Sequence, residues 1–295
     1  MNKSIFKYAI GTLGLAVALT ANAREVDESI DAAADGKVEI INISGSVEVY
    51  GWSQGSVEVT GELGERVEEL ILERNGDKVL VKVKVPRNNS TNISSDLTVR
   101  VPDGSSLDVS TVSADILVQE VEGDQMLHTV SGDVETYAYG SDVSAQSVSG
   151  DVDVNGTGDD AETSANTVSG DLTLIGVAGA VSAEAVSGDI LVRDGSFERA
   201  GLNTVNGEIS FQGGLRDGGK LTAESVNGDV DIQFSGDVSA KFDIETFNGD
   251  ITNCFGPKAE RTSKYAPGWE LSFTEGDGDG RVTISTLNGD IDICN

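Results

Sequence analysis

Apolar and polar residues alternate along most of the chain, and a short motif of the form Val-Ser-Gly-Asp-Val interrupts the alternation at regular intervals. Alternation with period two is typical of strands that bury one face. The motif recurs nine times, and its acidic residues are separated by 18, 18, 20, 18, 19, 21, 21 and 40 residues. The acidic positions are Asp115, Asp133, Asp151, Asp171, Asp189, Glu208, Asp229, Asp250 and Asp290.

Two columns of the aligned repeats are always apolar, which predicts that both are buried. One is the residue directly after the acid. The other is the residue three before it: Val112, Val130, Val148, Val168, Val186, Val205, Val226, Phe247 and Leu287. The residue six before the acid, such as Ala145, is apolar as well, so burying it together with Val148 and Val152 requires the alternation to slip by one residue just before Val148. The motif glycine is then predicted to point inward, at a corner where a side chain has no room.

A unit of this length cannot bury its inner face by itself, but it can do so when stacked on copies of itself. The sequence therefore predicts an all-β fold, a parallel β-helix of about eight or nine coils of 18–21 residues. Neighbouring coils would lie ~4.8 Å apart. The residue before the motif glycine is Ser in the first five repeats and Asn in the last four, as expected if like side chains form ladders along the stack.

Three segments are predicted. Residues 1–23 have the form of a signal peptide, with Lys3 and Lys7 before the apolar run Ala9–Leu19 and an Ala-x-Ala cleavage site. Residues 24–104 alternate without the motif and form a β-rich N-terminal section that covers the first coil. Residues 105–295 form the repeat domain, with a capping insertion at about 255–283.

The signal peptide predicts export to the periplasm or the cell surface, and no later apolar run is long enough to cross a membrane. Removing residues 1–23 removes two of the 20 basic residues and no acidic ones, so the mature charge is 18 − 50 = −32. Such a chain repels phosphate backbones, which excludes nucleic acid as a partner.

The motif acids allow two interpretations. In one, each carboxylate accepts hydrogen bonds from backbone N–H groups of its own turn. In the other, neighbouring coils share Ca²⁺ as a cofactor, and Glu275, Asp277 and Asp279 are a second calcium candidate. No position breaks the symmetry of the repeats as a catalytic cluster would, and the only histidine, His128, falls in a polar column. The chain is therefore predicted not to be an enzyme, with no catalytic or cofactor-binding residues.

The two cysteines occupy the same column of the repeat, since Cys254 and Cys294 each follow the motif acid by four residues. If the insertion between them leaves the core as a cap, their coils are adjacent and they form a disulfide. If the insertion hides a complete degenerate coil, they are too far apart to bond.

The motifs resemble those of the bacterial "putative adhesin" repeat family, also described as toastrack-like. The resemblance rests on GSVEVYGW (Gly45–Trp52), on the passage from KVPRNN to STVSADI, and on the serial V-[SN]-G-D-[VI] units; it covers roughly residues 36–295. It implies an exported β-rich domain of unknown function. The expected function is a non-catalytic, adhesin-like binding or scaffold protein whose partner is an unknown protein or glycan of the envelope, or another copy of itself. The alternatives are a β-helix carbohydrate-active enzyme and a self-assembling scaffold.

Overall fold

The computed structural model describes residues 24–87, 91–263 and 267–295. The predicted signal peptide, residues 1–23, lies outside the described residues. The described chain forms strands joined by turns and bends, and no described helix is long and apolar enough to cross a membrane.

All strands of the described residues belong to one hydrogen-bonded system of 25 strands. The first nine strands are β1 Arg24–Asp31, β2 Lys37–Ile41, β3 Ser44–Trp52, β4 Ser56–Leu63, β5 Glu69–Asn75, β6 Lys78–Lys84, β7 Ser95–Pro102, β8 Ser106–Ser110 and β9 Ser113–Gln119. The next eight are β10 Gln125–His128, β11 Val134–Ala138, β12 Val143–Gln146, β13 Val152–Gly156, β14 Asp160–Ser169, β15 Leu172–Ile175, β16 Ala178–Ser187 and β17 Ile190–Asn206. The last eight are β18 Ile209–Asn227, β19 Val230–Phe234, β20 Ala240–Asn248, β21 Ile251–Asn253, β22 Glu260–Arg261, β23 Trp269–Glu275, β24 Gly280–Asn288 and β25 Ile291–Cys294.

The predicted parallel β-helix is confirmed. Each coil contributes one strand to a front layer and, after the motif corner, one strand to a back layer. Parallel pairing orders the front layer as β6, β2, β8, β10, β12, β14, β16, β17, β18, β24, β20. The back layer runs β7, β3, β9, β11, β13, β15, β17, β18, β19, β25, β21. β17 and β18 belong to both layers because each continues through a loop into the next coil.

At both ends of the stack, the spatial order of the coils differs from their order in the sequence. β2 and β3 lie between β8 and β9 on one side and β6 and β7 on the other, although they come earliest of the three pairs in the sequence. At the opposite end β24 lies between β18 and β20, so the coil of Asp290 is inserted between those of Asp229 and Asp250. The repeat spacing predicts neither insertion.

Antiparallel strands cover both ends. β4 pairs with β7, β1 with β4, and β5 with β6 at the N-terminal end. At the C-terminal end β23 pairs with β20, and β22 with β23. The domain boundaries at residues 104 and 105 and the capping role of residues 255–283 stay predictions, and strands from both sides of the first boundary share one stack.

The core lies between the layers and is filled by the alternating residues of each strand. Val, Ile and Leu fill most coils. Phenylalanines dominate the C-terminal end, where Phe197 and Phe211 lie 5.5 Å apart between ring centroids and Phe242 stacks on Phe273 at 4.4 Å. The disulfide joins Cys254 and Cys294, whose Cα atoms lie 4.9 Å apart, so the adjacent-coil interpretation describes the structure.

Candidate functional site

The apolar residues three before each motif acid are exposed to solvent, which makes the prediction of their burial wrong. Their exposed fractions lie between 39% for Val226 and 49% for Phe247. We call these residues the apolar row. In spatial order the row is Val112, Val130, Val148, Val168, Val186, Val205, Val226, Leu287 and Phe247.

The buried position at this corner belongs to the preceding residue, which is Thr or Ser in every repeat except at Ala185. Its hydroxyl donates a hydrogen bond to a backbone carbonyl of the neighbouring coil, as from Thr204 Oγ1 to Gly188 at 3.1 Å and from Thr286 Oγ1 to Gly228 at 3.0 Å, except that Thr111 donates within its own coil. A small hydroxyl satisfies a carbonyl that valine would leave unpaired. The alternation therefore slips after the row residue, between Ser147 and Val152, and not before it.

The motif glycine is required for a different reason from the predicted one. A Cβ on Gly150 would overlap the backbone carbonyl oxygen of Gly132, and a Cβ on Gly188 would overlap that of Gly170. The conflict runs along the stack toward the next coil and not inward to the core. Glycine is needed because neighbouring corners approach each other through their backbones.

The motif acids form a hydrogen-bonded column, but the donor is not in their own turn as predicted. Every Asp carboxylate of the column except that of Asp250, in the outermost coil, accepts from the backbone N–H of the acid in the next coil, as from Asp133 to Asp115 at 3.0 Å and from Asp290 to Asp229 at 2.8 Å. The same bond recurs at 2.8–2.9 Å in the other coils with an Asp acceptor. This bond offsets the repulsion between stacked carboxylates.

Glu208 is the other exception in this column. Among the described residues, its longer side chain accepts no such bond. Burial, followed by the charges of Asp189, Asp229 and Asp231, raises the pKa of its carboxyl. Burial and the neighbouring Asp292 likewise raise the pKa of Asp231.

The asparagines beside the row form the ladder that the sequence suggests. Asn227 donates to Asn206 at 2.9 Å, Asn288 to Asn227 at 2.8 Å, and Asn248 to Asn288 at 2.8 Å. The order of these bonds repeats the out-of-sequence stacking of the coils.

The calcium candidates Glu275, Asp277 and Asp279 lie at the turn between β23 and β24. The N–H groups of Asp277 and Gly278 donate to Ser239 Oγ at 3.0 and 3.2 Å. Within the described ranges, no group of three or more His, Cys, Asp or Glu is placed to hold a metal ion. His128 is half-buried on the front layer, in register with Gln146.

A groove of about 740 Å³ lies along the C-terminal part of the apolar row. Val226, Leu287 and Phe247 contribute its apolar surface, while Glu184, Glu224 and Glu245 line it from the adjoining column. Thr262 and Gly268 of the insertion line it as well.

Sequence reasoning missed this surface because it assigned every regular apolar column to the core. One signal could have found it: Thr or Ser precedes the row residue in eight of the nine repeats, which marks the hydroxyl as the constant partner of the corner.

The family profile of Toastrack DUF4097 matches the sequence over residues 22–185 and 176–294. No curated protein matches it. Among solved structures, a "putative adhesin" from Bacteroides fragilis is 9% identical, covering 94% of this chain and 100% of that chain, with a TM-score of 0.49. A "putative lipid binding protein" from Parabacteroides distasonis is 16% identical, covering 92% and 98%, also at 0.49. At these TM-scores the structural likenesses carry no conclusion about this chain.

Proposed function

The chain belongs to the Toastrack DUF4097 family, and from that premise we propose that it is a non-catalytic, exported protein of the cell envelope or surface that binds a partner along its apolar row. The observation that carries the proposal is the exposure of all nine row residues. Coils ~4.8 Å apart make the row roughly 38 Å long. A continuous apolar strip of this size on a water-facing surface is typical of a binding site.

The repeat explains how such a strip is built. Because a buried hydroxyl recurs in eight of the nine corners and the motif glycine in eight, the corners repeat and each coil adds one apolar side chain in line with the last. A rigid row of this kind suits an extended surface on the partner. The formal charge of −30 disfavours nucleic acid, which leaves a protein or a glycan of the envelope as the partner class.

Pull-down from envelope fractions tests this function. We expect a variant with Val148→Ser, Val186→Ser and Val226→Ser to lose its bound material, because each change removes apolar contact area without touching the core. Glu135, Asp153 and Thr173 lie on the back layer, and their replacement by Ser is the matched control. Equal capture by the row variant, the control and the unmodified chain would contradict the proposal.

Export has a separate test. We expect the chain purified from the producing cell's periplasm or medium to begin at Arg24, as read by N-terminal sequencing. Recovery from the cytoplasm with residues 1–23 intact would contradict this part of the proposal.

A carbohydrate-active enzyme is the second candidate, favoured by Glu208. Its raised carboxyl pKa is the property expected of a general acid. Release of reducing sugar from acidic polysaccharides, abolished by Glu208→Gln but not by Glu224→Gln, would establish this alternative.

A further inference from the structure

A column of charges runs along the front layer, parallel to the apolar row and six residues before it on each strand. Its middle coils carry Asp124, Asp142 and Glu162, which we call the acidic block. Its C-terminal coils carry, in spatial order, Arg199, Lys220, Arg281 and Lys241, which we call the basic block. Ala180 separates the two blocks, pairing with Glu162 on one side and Arg199 on the other.

Six of these seven charges have no ion pair within the described chain. All seven side chains are exposed. Within the described ranges, Arg281 alone among them has an ion pair, with Asp243 at 3.3 Å. Like charges therefore stand ~4.8 Å apart in successive coils, an arrangement that repels unless opposite charges face it.

The geometry points to a second copy of this chain as the partner of the apolar row, an inference that rests on the proposed function. The two copies pack front layer against front layer with their stacks antiparallel. Their two-fold axis lies along the strand direction, between the coils of Ala180 and Arg199. Such a two-fold axis brings each column of one copy against the same column of the other, in reverse order.

This arrangement places the acidic block on the basic block. Glu162 of one copy faces Lys220 of the other, and Asp142 faces Arg281. Asp124 faces Lys241. The two-fold symmetry makes each contact twice, so six pairs of opposite charge replace the uncompensated stacks.

The apolar row also meets itself in this register. Val186 faces Val205, and Val168 faces Val226. Farther from the axis, Val148 faces Leu287. The row is thereby removed from water on both copies at once, which supplies the main attraction between two acidic molecules.

Repulsion between like charges favours this register over the one in which the two-fold axis is shifted by half a coil. With the axis on the coil of Ala180 itself, Glu184 would face Glu184 and Asp108 would face Asp243. With the axis between the coils, Glu184 faces Asn203, and Asp243 faces Met126. Both repulsive contacts disappear.

The contact is large enough for a stable dimer. Eight coils at ~4.8 Å and a strand width of seven residues at ~3.3 Å give a face of roughly 38 by 20 Å. The two faces together cover about 1,500 Å², within the range of standard specific interfaces.

Sedimentation velocity on the purified chain over a range of concentrations, at low and high salt, tests the inference. We expect a dimer whose dissociation constant rises at least tenfold with Glu162→Lys, because the introduced ammonium would face Lys220 of the other copy. Adding Lys220→Glu to that variant should restore the affinity to within about threefold. Glu135→Lys changes the net charge equally on the back layer and should leave the dimer intact, and circular dichroism verifies folding of each variant.

A chain that stays monomeric at all concentrations overturns the inference, and so does a dimer insensitive to Glu162→Lys. Rescue of Glu162→Lys by Arg199→Glu instead of Lys220→Glu overturns the register with the axis between the coils. A monomer that still captures an envelope partner through the row overturns the dimer but leaves the proposed function standing. A dimer with no row-dependent capture supports the second copy as the row's partner.

Discussion

The middle of the β-helix and its two ends use the same coil but connect it differently. From the coil of Asp115 to that of Asp229, each turn of chain stacks on the one before it. At each end one coil lies out of sequence order, and antiparallel strands cover the last parallel one. Coils of the same form can be added to the stack without limit. To end the stack, the chain has to connect its last coils in a different order and cover them with antiparallel strands.

The difference has a physical reason. An end coil presents a row of unpaired backbone N–H and C=O groups, which can pair with another chain. β23 occupies the open edge of β20, and β4 occupies that of β7. At both ends the covering strand, β4 or β23, lies in the chain between the interleaved coil and the outermost coil, and the disulfide joins those two coils at the C-terminal end.

The largest expected effect concerns that disulfide. Cys254→Ser with Cys294→Ser should lower the free energy of unfolding by up to about 4 kcal/mol, because the bond closes a loop of 40 residues. Denaturant melts of the double variant and of the unmodified chain, with and without reductant, measure the loss. An unchanged midpoint would mean that the interleaved end is held by packing alone.

Replacing a corner glycine tests whether the corners in the middle and at the end of the stack have the same close backbone contact. Gly188→Val in the middle and Gly289→Val in the inserted coil should each cost about 3 kcal/mol, since both Cβ atoms would overlap a neighbouring carbonyl. Gly201→Val is the control and should cost less than about 1 kcal/mol, because the nearest atom to its Cβ is 3.9 Å away. Markedly unequal losses at Gly188 and Gly289 in denaturant melts would separate the two regions.

A smaller difference is expected within the ladder beside the row. Asn288→Ala should cost about 1 kcal/mol, because Asn288 donates to Asn227 and accepts from Asn248. Ser149→Ala in the middle should change the free energy of unfolding by less than about 0.5 kcal/mol. Thermal melts of both variants measure the contrast, and equal effects would show that the asparagine bonds contribute nothing to the end.

The smallest expected effect is a pH dependence at Glu208. A carboxyl whose pKa is raised on folding is penalised when charged, so its destabilising effect is present above the folded pKa and absent below the unfolded value of 4.5. Glu208→Gln should therefore stabilise the protein near neutral pH, by no more than about 1 kcal/mol because the side chain is exposed, and should change nothing near pH 3. Asp189→Ala is the comparison, since it removes the oxygen that accepts from the Glu208 N–H at 2.8 Å and should destabilise. Melting temperatures across this pH range that show the opposite sign would contradict the assigned environment.

The fold of the middle of the β-helix can be predicted from the sequence because the repeated motif marks each coil. Spacing and alternation predict the parallel β-helix, and the shared column predicts that Cys254 and Cys294 can bond. The direction of the corner valines does not follow from period two, which cannot show on which side of the row residue the slip occurs, although the recurring Thr or Ser before that residue is a sequence signal for it. Only the hydrogen bond of the preceding hydroxyl decides that.

The order of the coils at the two ends is harder to predict from the sequence. Coils of similar sequence could stack in more than one order. Residues 37–52 form a full coil, and Asn42–Val47 carry a degenerate Ser-Gly corner whose Ser46 pairs with Asp115. Without the acid, this corner does not match the motif. Likewise, nothing in the sequence around Asp250 and Asp290 states which coil lies outermost.

The order of the coils is the central claim, because the apolar row, its groove and the charge column all depend on it. Cysteine pairs in the front layer test the order directly. Thr222 pairs with Thr283 of the inserted coil, and Asp243 lies one coil farther on. Adjacent positions lie ~4.8 Å apart, within disulfide range, whereas positions two coils apart lie nearly 10 Å apart.

Mass spectrometry of the oxidised, unreduced variants gives the answer. The structure predicts a new disulfide in the variant with Thr222→Cys and Thr283→Cys, and none in the variant with Thr222→Cys and Asp243→Cys. A disulfide in the second variant and none in the first would mean that the coils stack in chain order, which would contradict the interleaved end.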